Sequence, residues 1–250
     1  MNNTSQAQKL HFLLPAYNEE AYLPKTIESL RQSILQSGII ETGEIIVVDN
    51  DSTDQTAEIA KELGVTVVKE PMRQIARARN SGAWHAKGEI LFFIDADTDV
   101  ASEHISQAYN LMVQKKGFGG GALIRFDDHQ NKFFLGILIP SLWNWLSRTL
   151  KMAAGSFLFC RKQDFHEIGG FPETMYAGEE LGFVRKLKKL NRHSSEKFHI
   201  LENPPVITSS RKLKWYGNMQ MAFYLALLFV FPLAVRFQKL CGFWYNRPPK

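Results

Sequence analysis

The strongest constraint on this chain is the alternation of short apolar runs with amphipathic segments over its first hundred residues. The runs are Leu10 to Pro15 (LHFLLP), Glu44 to Asp49 (EIIVVD), Val65 to Val68 (VTVV) and Glu89 to Asp95 (EILFFID). They are continuously apolar, the pattern of a parallel strand covered on both faces. Between them, Glu20 to Gln36 sets Leu23, Ile27, Leu30 and Ile34 at helical spacing, and 54–63 and 75–86 also read as helices. Ser52 and Thr53 stand where a helix cap is expected, and Gly64 where a helix stops. This alternation predicts a doubly wound, mostly parallel sheet between two layers of helices.

Ligands of such sheets bind beyond the carboxyl ends of the strands. Pro15-Ala-Tyr17-Asn18, Asp49-Asn50-Asp51 and Asp95-Ala-Asp97 all fall at those ends, which puts three polar clusters on one rim. Asp95 and Asp97, at i and i+2 after a buried strand, suit a hard cation such as Mg²⁺ or Mn²⁺ with positions left for phosphate oxygens. The neighbouring Asp99 fits a solvated acidic loop.

The second half is less regular. A helix is expected over 102–115, strands at GGALIRF (Gly120 to Phe126) and at 153–160, and an amphipathic helix with a basic outer face at 179–190. The apolar stretch 133–150 reads either as core or as a membrane-facing element. The length of 250 residues suits one sizeable α/β domain with a short appendage. The expected division is a catalytic domain over 1–210, with halves of about 1–100 and 101–210, and a tail over 211–250. The tail has seven Lys or Arg and no acid, which leaves −2 of the net +5 to the first 210 residues. Charge confined to a tail rich in Trp, Phe and Leu argues for an anionic membrane surface and against nucleic acid. Met219 to Val235 is uncharged but sits at the short limit for a span, so an interfacial helix is the first reading, a single span the second and core packing the third. Two distant cysteines, Cys160 and Cys241, exclude a disulfide framework and point to a reducing compartment. The polar start, MNNTSQAQKL, carries no secretory pattern.

Taken in order, LLPAYNEE, VVDNDSTDQT, IARARNSGAWHAKGEILFFIDAD and GGFPETMYAGEELGFVRKLKKL resemble the motifs of family 2 glycosyltransferases over roughly Leu10 to Ser210. The resemblance implies a GT-A, Rossmann-like three-layer sandwich followed by an apolar helical tail. It implies transfer of a sugar from a UDP- or GDP-linked donor to a saccharide or lipid-linked acceptor. The enzyme would be cytoplasmic, peripheral at the inner face of the cell membrane. Carried over residue by residue, Pro15, Tyr17, Glu19, Asp49, Asp51, Arg77, Asn80, Asp95 and Arg185 would contact the nucleotide sugar. Asp97, with Asp95, would hold Mn²⁺ or Mg²⁺. Asn50–Asp51 replaces the usual Asp-Gly, so the turn must form without glycine; Asn and Asp tolerate this best. In the last motif Glu180, with Glu179 beside it, is the expected base, and like-charge repulsion from Glu179 would raise its pKa. A base opposite the leaving nucleotide implies a single inverting displacement. Arg77 or Arg79 taken singly also fits a solvated helix face, and the acid pair a helix N-terminus.

Two weaker patterns complete the reading. Gly117 to Ala122 precedes a strand, the reverse of a dinucleotide-binding context. Ser209 to Gly217 (SSRKLKWYG) loosely resembles a motif of processive synthases and would set Arg211, Lys214 and Trp215 over the donor diphosphate or the acceptor sugar. The rival functions are a phosphotransferase with Asp95 as nucleophile and a non-catalytic nucleotide-sugar-binding protein.

Overall fold

The computed structural model describes residues 9–39, 43–128, 137–211, 215 and 232–246. The apolar runs become strands β1 (Leu10–Ala16), β2 (Gly43–Asp49), β3 (Thr66–Lys69) and β4 (Ile90–Ile94). Helices α1 (Leu23–Gln36), α2 (Thr56–Glu62) and α3 (Ile75–His85) alternate with them. After a two-residue β5 (Thr98–Asp99) follow α4 (Ser102–Val113), β6 (Gly117–Phe126), α5 (Ile139–Leu150), β7 (Phe157–Arg161), α6 (Lys162–Glu167), α7 (Glu179–Leu190) and β8 (Lys197–Thr208). The described C-terminal stretch forms two 3₁₀ turns, Pro232–Arg236 and Gln238–Cys241, and one turn of helix, α8 (Gly242–Tyr245).

The described strands form one sheet in the order β3-β2-β1-β4-β7-β6-β8-β5. The β3–β2, β2–β1 and β1–β4 pairs are parallel, as the apolar runs predict. β7 runs antiparallel between β4 and β6, and β8 returns parallel to β6. Period-2 alternation divides the strand residues between two cores. Leu10, Phe12, Leu14, Ile45, Val47, Ile90, Phe92, Phe157 and Phe159 face α1 and α4. Leu13, Ile46, Val48, Leu91, Phe93 and Leu158 face α3, α6 and α7. The second core contains an aromatic stack: Phe171 lies flat on Phe183 at 4.1 Å and edge-on to Phe93 at 4.9 Å. The three-layer expectation holds.

The glycines of β6 serve close packing. A Cβ on Gly120 would lie 2.5 Å from Phe159 Cζ, and one on Gly121 2.3 Å from Ala153 Cβ. Lys197–Thr208 is a twelve-residue strand that no period-2 pattern announces. Its adjacent Pro204 and Pro205 argue against a strand from sequence, and the β6–β8 ladder shifts register between Ala122 and Ile124 to accommodate the irregularity.

On α5, Leu142, Trp145 and Leu150 are more than half exposed, while Asn144 clamps β6 through the Ile124 N–H and C=O at 3.0 and 2.9 Å. Among the described residues no helix is long and apolar enough to cross a membrane. Of the stretch 219–235, residues 219–231 lie outside the described residues, as do 129–136.

Candidate active site

The first two strand-end loops are stitched together. Asn18, at φ 53°, receives a bond on Oδ1 from Thr53 N–H (2.8 Å) and donates its own N–H to Ser52 Oγ (3.0 Å). Ser52 and Thr53 therefore join the loops instead of capping α2. Gln55 holds the cap position without a side-chain bond, and Asp54 just before it accepts Thr56 N–H at 3.0 Å. Asp51 sits at φ 66°, the left-handed position the missing glycine would have filled. Asp49 is buried and accepts Ser52 N–H at 3.0 Å. Asn50 donates to Glu70 O and Met72 O and accepts Gln74 N–H at 2.9 Å, which fixes the 70–74 segment. That segment presents Arg73, whose guanidinium lies 3.7 Å from the Tyr17 ring centroid, a cation–π contact.

The third loop is a tight turn, Thr98 N–H to Asp95 O at 3.0 Å, which aims Asp95 and Asp97 into the cleft. Thr98 pairs with Thr208, and Ser209 N–H donates to Asp97 O at 3.2 Å, so the end of β8 delivers Arg211 to the same place. Arg211, 8% exposed, donates from both terminal nitrogens to Glu19 at 2.5 Å, and its Nη2 also meets Asp97 Oδ2 at 2.9 Å. Burial opposes its charge, but the bonds to Glu19 and the nearby Asp97 outweigh that and raise its pKa above the usual value. Tyr22 and Trp215 flank the guanidinium at 4.6 and 5.5 Å.

Across the cleft, Gly178 at φ 69° opens α7 and turns Glu179 and Glu180 inward. Arg79, 3% exposed, ties this side to the aspartates. Its Nη1 donates to Glu179 Oε1 at 2.6 Å, and its Nη2 to Asp95 Oδ1 at 3.0 Å and Gly155 O at 3.1 Å. Burial and the adjacent Glu179 push the Glu180 carboxyl up to about 8, against the opposing pull of Arg79.

Of the residues expected from sequence, Pro15, Tyr17, Glu19, Asp95, Asp97, Glu179 and Glu180 line one cleft. Neither Asp49, which is buried, nor Asp51, which is exposed, lines it, whereas Asn50 does. Arg77 lies outside the cleft, bonded to Glu70 at 3.3 Å and Glu173 at 2.7 Å. Asn80 is buried and brackets the backbone of Phe171 at 3.0 and 2.8 Å, which holds the Gly169–Gly170 turn against α3. Arg185 is exposed on α7 and reaches none of the cleft. The α3 arginine that lines the cleft is Arg79. The signal was available: Ala76, Arg79, Asn80 and Ala83 share the buried face of α3, whereas Arg77 does not.

The described residues beyond Ser210 contribute to the same cleft. Arg211, Trp215, Trp244 and Tyr245 line the cleft. Tyr176 N–H donates to Val235 O at 2.6 Å, Gln238 to Arg73 O at 3.1 Å, and Arg73 to Tyr245 O. The described part of the tail is a wall of the site.

The carboxylates fit a divalent cation. Asp95 and Asp97 both already face guanidinium groups, so the pocket favours positive charge, and their ligand atoms are hard oxygens. Among the described residues no third His, Cys, Asp or Glu completes a metal cluster. Such a donor set suits Mg²⁺ or Mn²⁺, which keep water and take one or two carboxylates alongside phosphates.

Fold and cleft together define an α/β protein with an acidic, arginine-braced binding site at the carboxyl ends of its parallel strands. A family model described as Glycosyl transferase family 2 matches residues 12–169, and the chain belongs to that family. Over 113 residues it is 34% identical to the 4,4'-diaponeurosporenoate glycosyltransferase of Staphylococcus haemolyticus, covering 40% of this chain and 27% of that protein. Over 206 residues it is 26% identical to the GalNAc(5)-diNAcBac-PP-undecaprenol beta-1,3-glucosyltransferase of Campylobacter jejuni, covering 77% and 64%. Both matches span less than two thirds of the relative's length.

The fold is similar to that of S. aureus TarS 1-349 in complex with UDP (TM-score 0.62, 18% identity, 91% of this chain and 65% of that one). It is equally similar to glucosyl-3-phosphoglycerate synthase from Mycobacterium tuberculosis in complex with Mn²⁺, UDP and glucosyl-3-phosphoglycerate (TM-score 0.62, 19% identity, 94% and 80%). The architecture is that of GT-A glycosyltransferases.

Proposed function

We propose that this protein is a glycosyltransferase that moves a sugar from a UDP- or GDP-linked donor to an acceptor hydroxyl with inversion, assisted by a divalent cation at Asp95 and Asp97. One observation carries the reading: Arg79 holds Asp95 on one nitrogen and Glu179 on the other, so the aspartates and the acid pair face one cleft at fixed separation. The cation, when bound, supplies positive charge to the leaving diphosphate. Tyr17, backed by Arg73, offers a flat face to the nucleotide. Glu180, ionised, takes the acceptor proton as its oxygen attacks the anomeric carbon, and the bond to the diphosphate breaks. Glu179, fixed by Arg79, keeps Glu180 basic enough to do so. A nucleophilic role for Asp95 is disfavoured by the Arg79 bond to its Oδ1, which withdraws electron density from that oxygen.

The Campylobacter relative's name specifies a lipid-linked acceptor. We extend that class to this chain, and with it a cytoplasmic position at the membrane face. Support comes from the exposed Leu142, Trp145 and Leu150 of α5, a helix that carries Arg148 and no acid. The test is nucleoside diphosphate release from a panel of UDP- and GDP-sugars with Mn²⁺. Glu180→Gln should lose turnover and keep donor binding. Undiminished turnover would move the base elsewhere, and no release or binding with any donor would count against the function itself.

A further inference from the structure

We infer that Arg211 is a built-in counter-cation for the donor site. It neutralises Asp97 while no divalent ion is bound, and must release Asp97 before one can be held tightly. The inference rests on reading Asp95 and Asp97 as the cation's ligands.

The guanidinium is placed by the fold and not by chance contact. The Thr98–Thr208 pairing and the Ser209 N–H to Asp97 O bond bring the chain to the aspartates, and Arg211 follows two residues later. Its Nη2 is shared between Glu19 Oε1 at 2.5 Å and Asp97 Oδ2 at 2.9 Å, while Nη1 donates to Glu19 Oε2. Asp97 is itself largely buried, its side chain 12% exposed, so an uncompensated charge there would be costly and the guanidinium removes that cost.

A divalent ion on Asp97 would stand within a few ångströms of this buried positive charge, in surroundings that screen poorly. The two cations therefore compete for one carboxylate. Arg211 can yield without leaving the site, because the bidentate pair with Glu19 survives loss of the Asp97 arm. The Nη2 N–H released by Asp97 is then available to an incoming anion. Glu19 is accordingly a positioning residue: it holds the counter-cation in place between turnovers. Ion and nucleotide would then bind cooperatively, since the ion displaces Arg211 and the diphosphate brings compensating charge.

The test is Mn²⁺ binding without nucleotide, read from loss of the free-ion EPR signal, for wild type, R211Q, R211K and R211Q/D97N. The expected result is at least ten-fold tighter binding by R211Q, affinity near wild type for R211K, and loss of the gain in R211Q/D97N. Equal or weaker binding by R211Q overturns the role of Arg211 alone; no Mn²⁺ binding by any form, with UDP or without, overturns the cation reading as well. A second measurement needs no substitution at Arg211. Adding Mg²⁺ should change the tryptophan emission of wild type and not of W215F, since Trp215 lies over the guanidinium. Identical responses from the two proteins would overturn the displacement.

Discussion

Removing Arg79 tests the link between the two sides of the cleft. Its side chain is 3% exposed, Glu179 6% and Asp95 37%, so the three charges are buried very unequally. Arg79→Met leaves Glu179 buried without a counter-ion, a loss worth about 3–5 kcal/mol in comparable buried pairs. Asp95 reaches water and adds little. In a chain of this size each kcal/mol lowers Tm by about 2–4 °C, which gives a fall of roughly 6–20 °C. Arg79→Met with Glu179→Leu removes both charges and should recover most of that loss, because apolar replacement of a buried pair is often neutral. The assay is urea unfolding of the wild type, both single variants and the double variant as a thermodynamic cycle. A cost below about 1 kcal/mol for Arg79→Met, or a double variant whose cost equals the sum of the singles, would refute the claim that Arg79 exists to hold Glu179.

Glu180 gives a prediction with a definite sign. Its folded-state pKa of about 8 exceeds its ordinary 4.5, so the native state keeps a proton the unfolded chain has lost, and stability falls as pH rises from 4.5 to 8. Glu180→Gln should therefore melt higher than wild type at pH 8.5 and level with it at pH 4.5; the opposite order would sink the assignment. Sugar transfer by wild type should rise with pH towards 8 and drop by roughly 10²–10⁴-fold in Glu180→Gln, measured as initial rates across pH. Gly120→Ala should cost stability by forcing Phe159 and β8 apart, seen as a lower urea midpoint, whereas Gly64→Ala, with open space around its Cβ, meets only the strain of its φ of 67°. Leu142→Glu with Trp145→Glu should weaken sedimentation with anionic vesicles and leave turnover on a water-soluble acceptor intact. Undiminished sedimentation would remove α5 from the membrane proposal.

The first hundred residues of the fold were legible because their strands are buried on both faces and their helices on one, so each element wrote its period into the sequence. Observed bounds for α1, β2, β4 and α7 fall within three residues of those expected. β8 was not legible, since Pro204 and Pro205 interrupt the pattern and pairing with β6 is set by tertiary contact. The acids of the site were visible because carboxylates clustered after apolar strands have few structural uses. Its arginines were legible only in part: the spacing of α3 puts Arg79 on the buried face and the 209–217 segment points to Arg211, but the acids that hold them, Glu179, Asp95, Glu19 and Asp97, come from distant segments. The described end of the tail also depends on tertiary contact: Trp244 and Tyr245 wall the cleft, Tyr245 through contacts with Arg73, Ile75 and Tyr176.

The most direct test of the central claim is calorimetric titration of UDP and GDP into wild type and Asp97→Asn, each with and without Mn²⁺. Nucleotide binding by wild type should strengthen at least ten-fold with Mn²⁺, and Asp97→Asn should fold normally and lose that gain. Nucleotide binding unchanged by Mn²⁺, or an equal gain in Asp97→Asn, would contradict it.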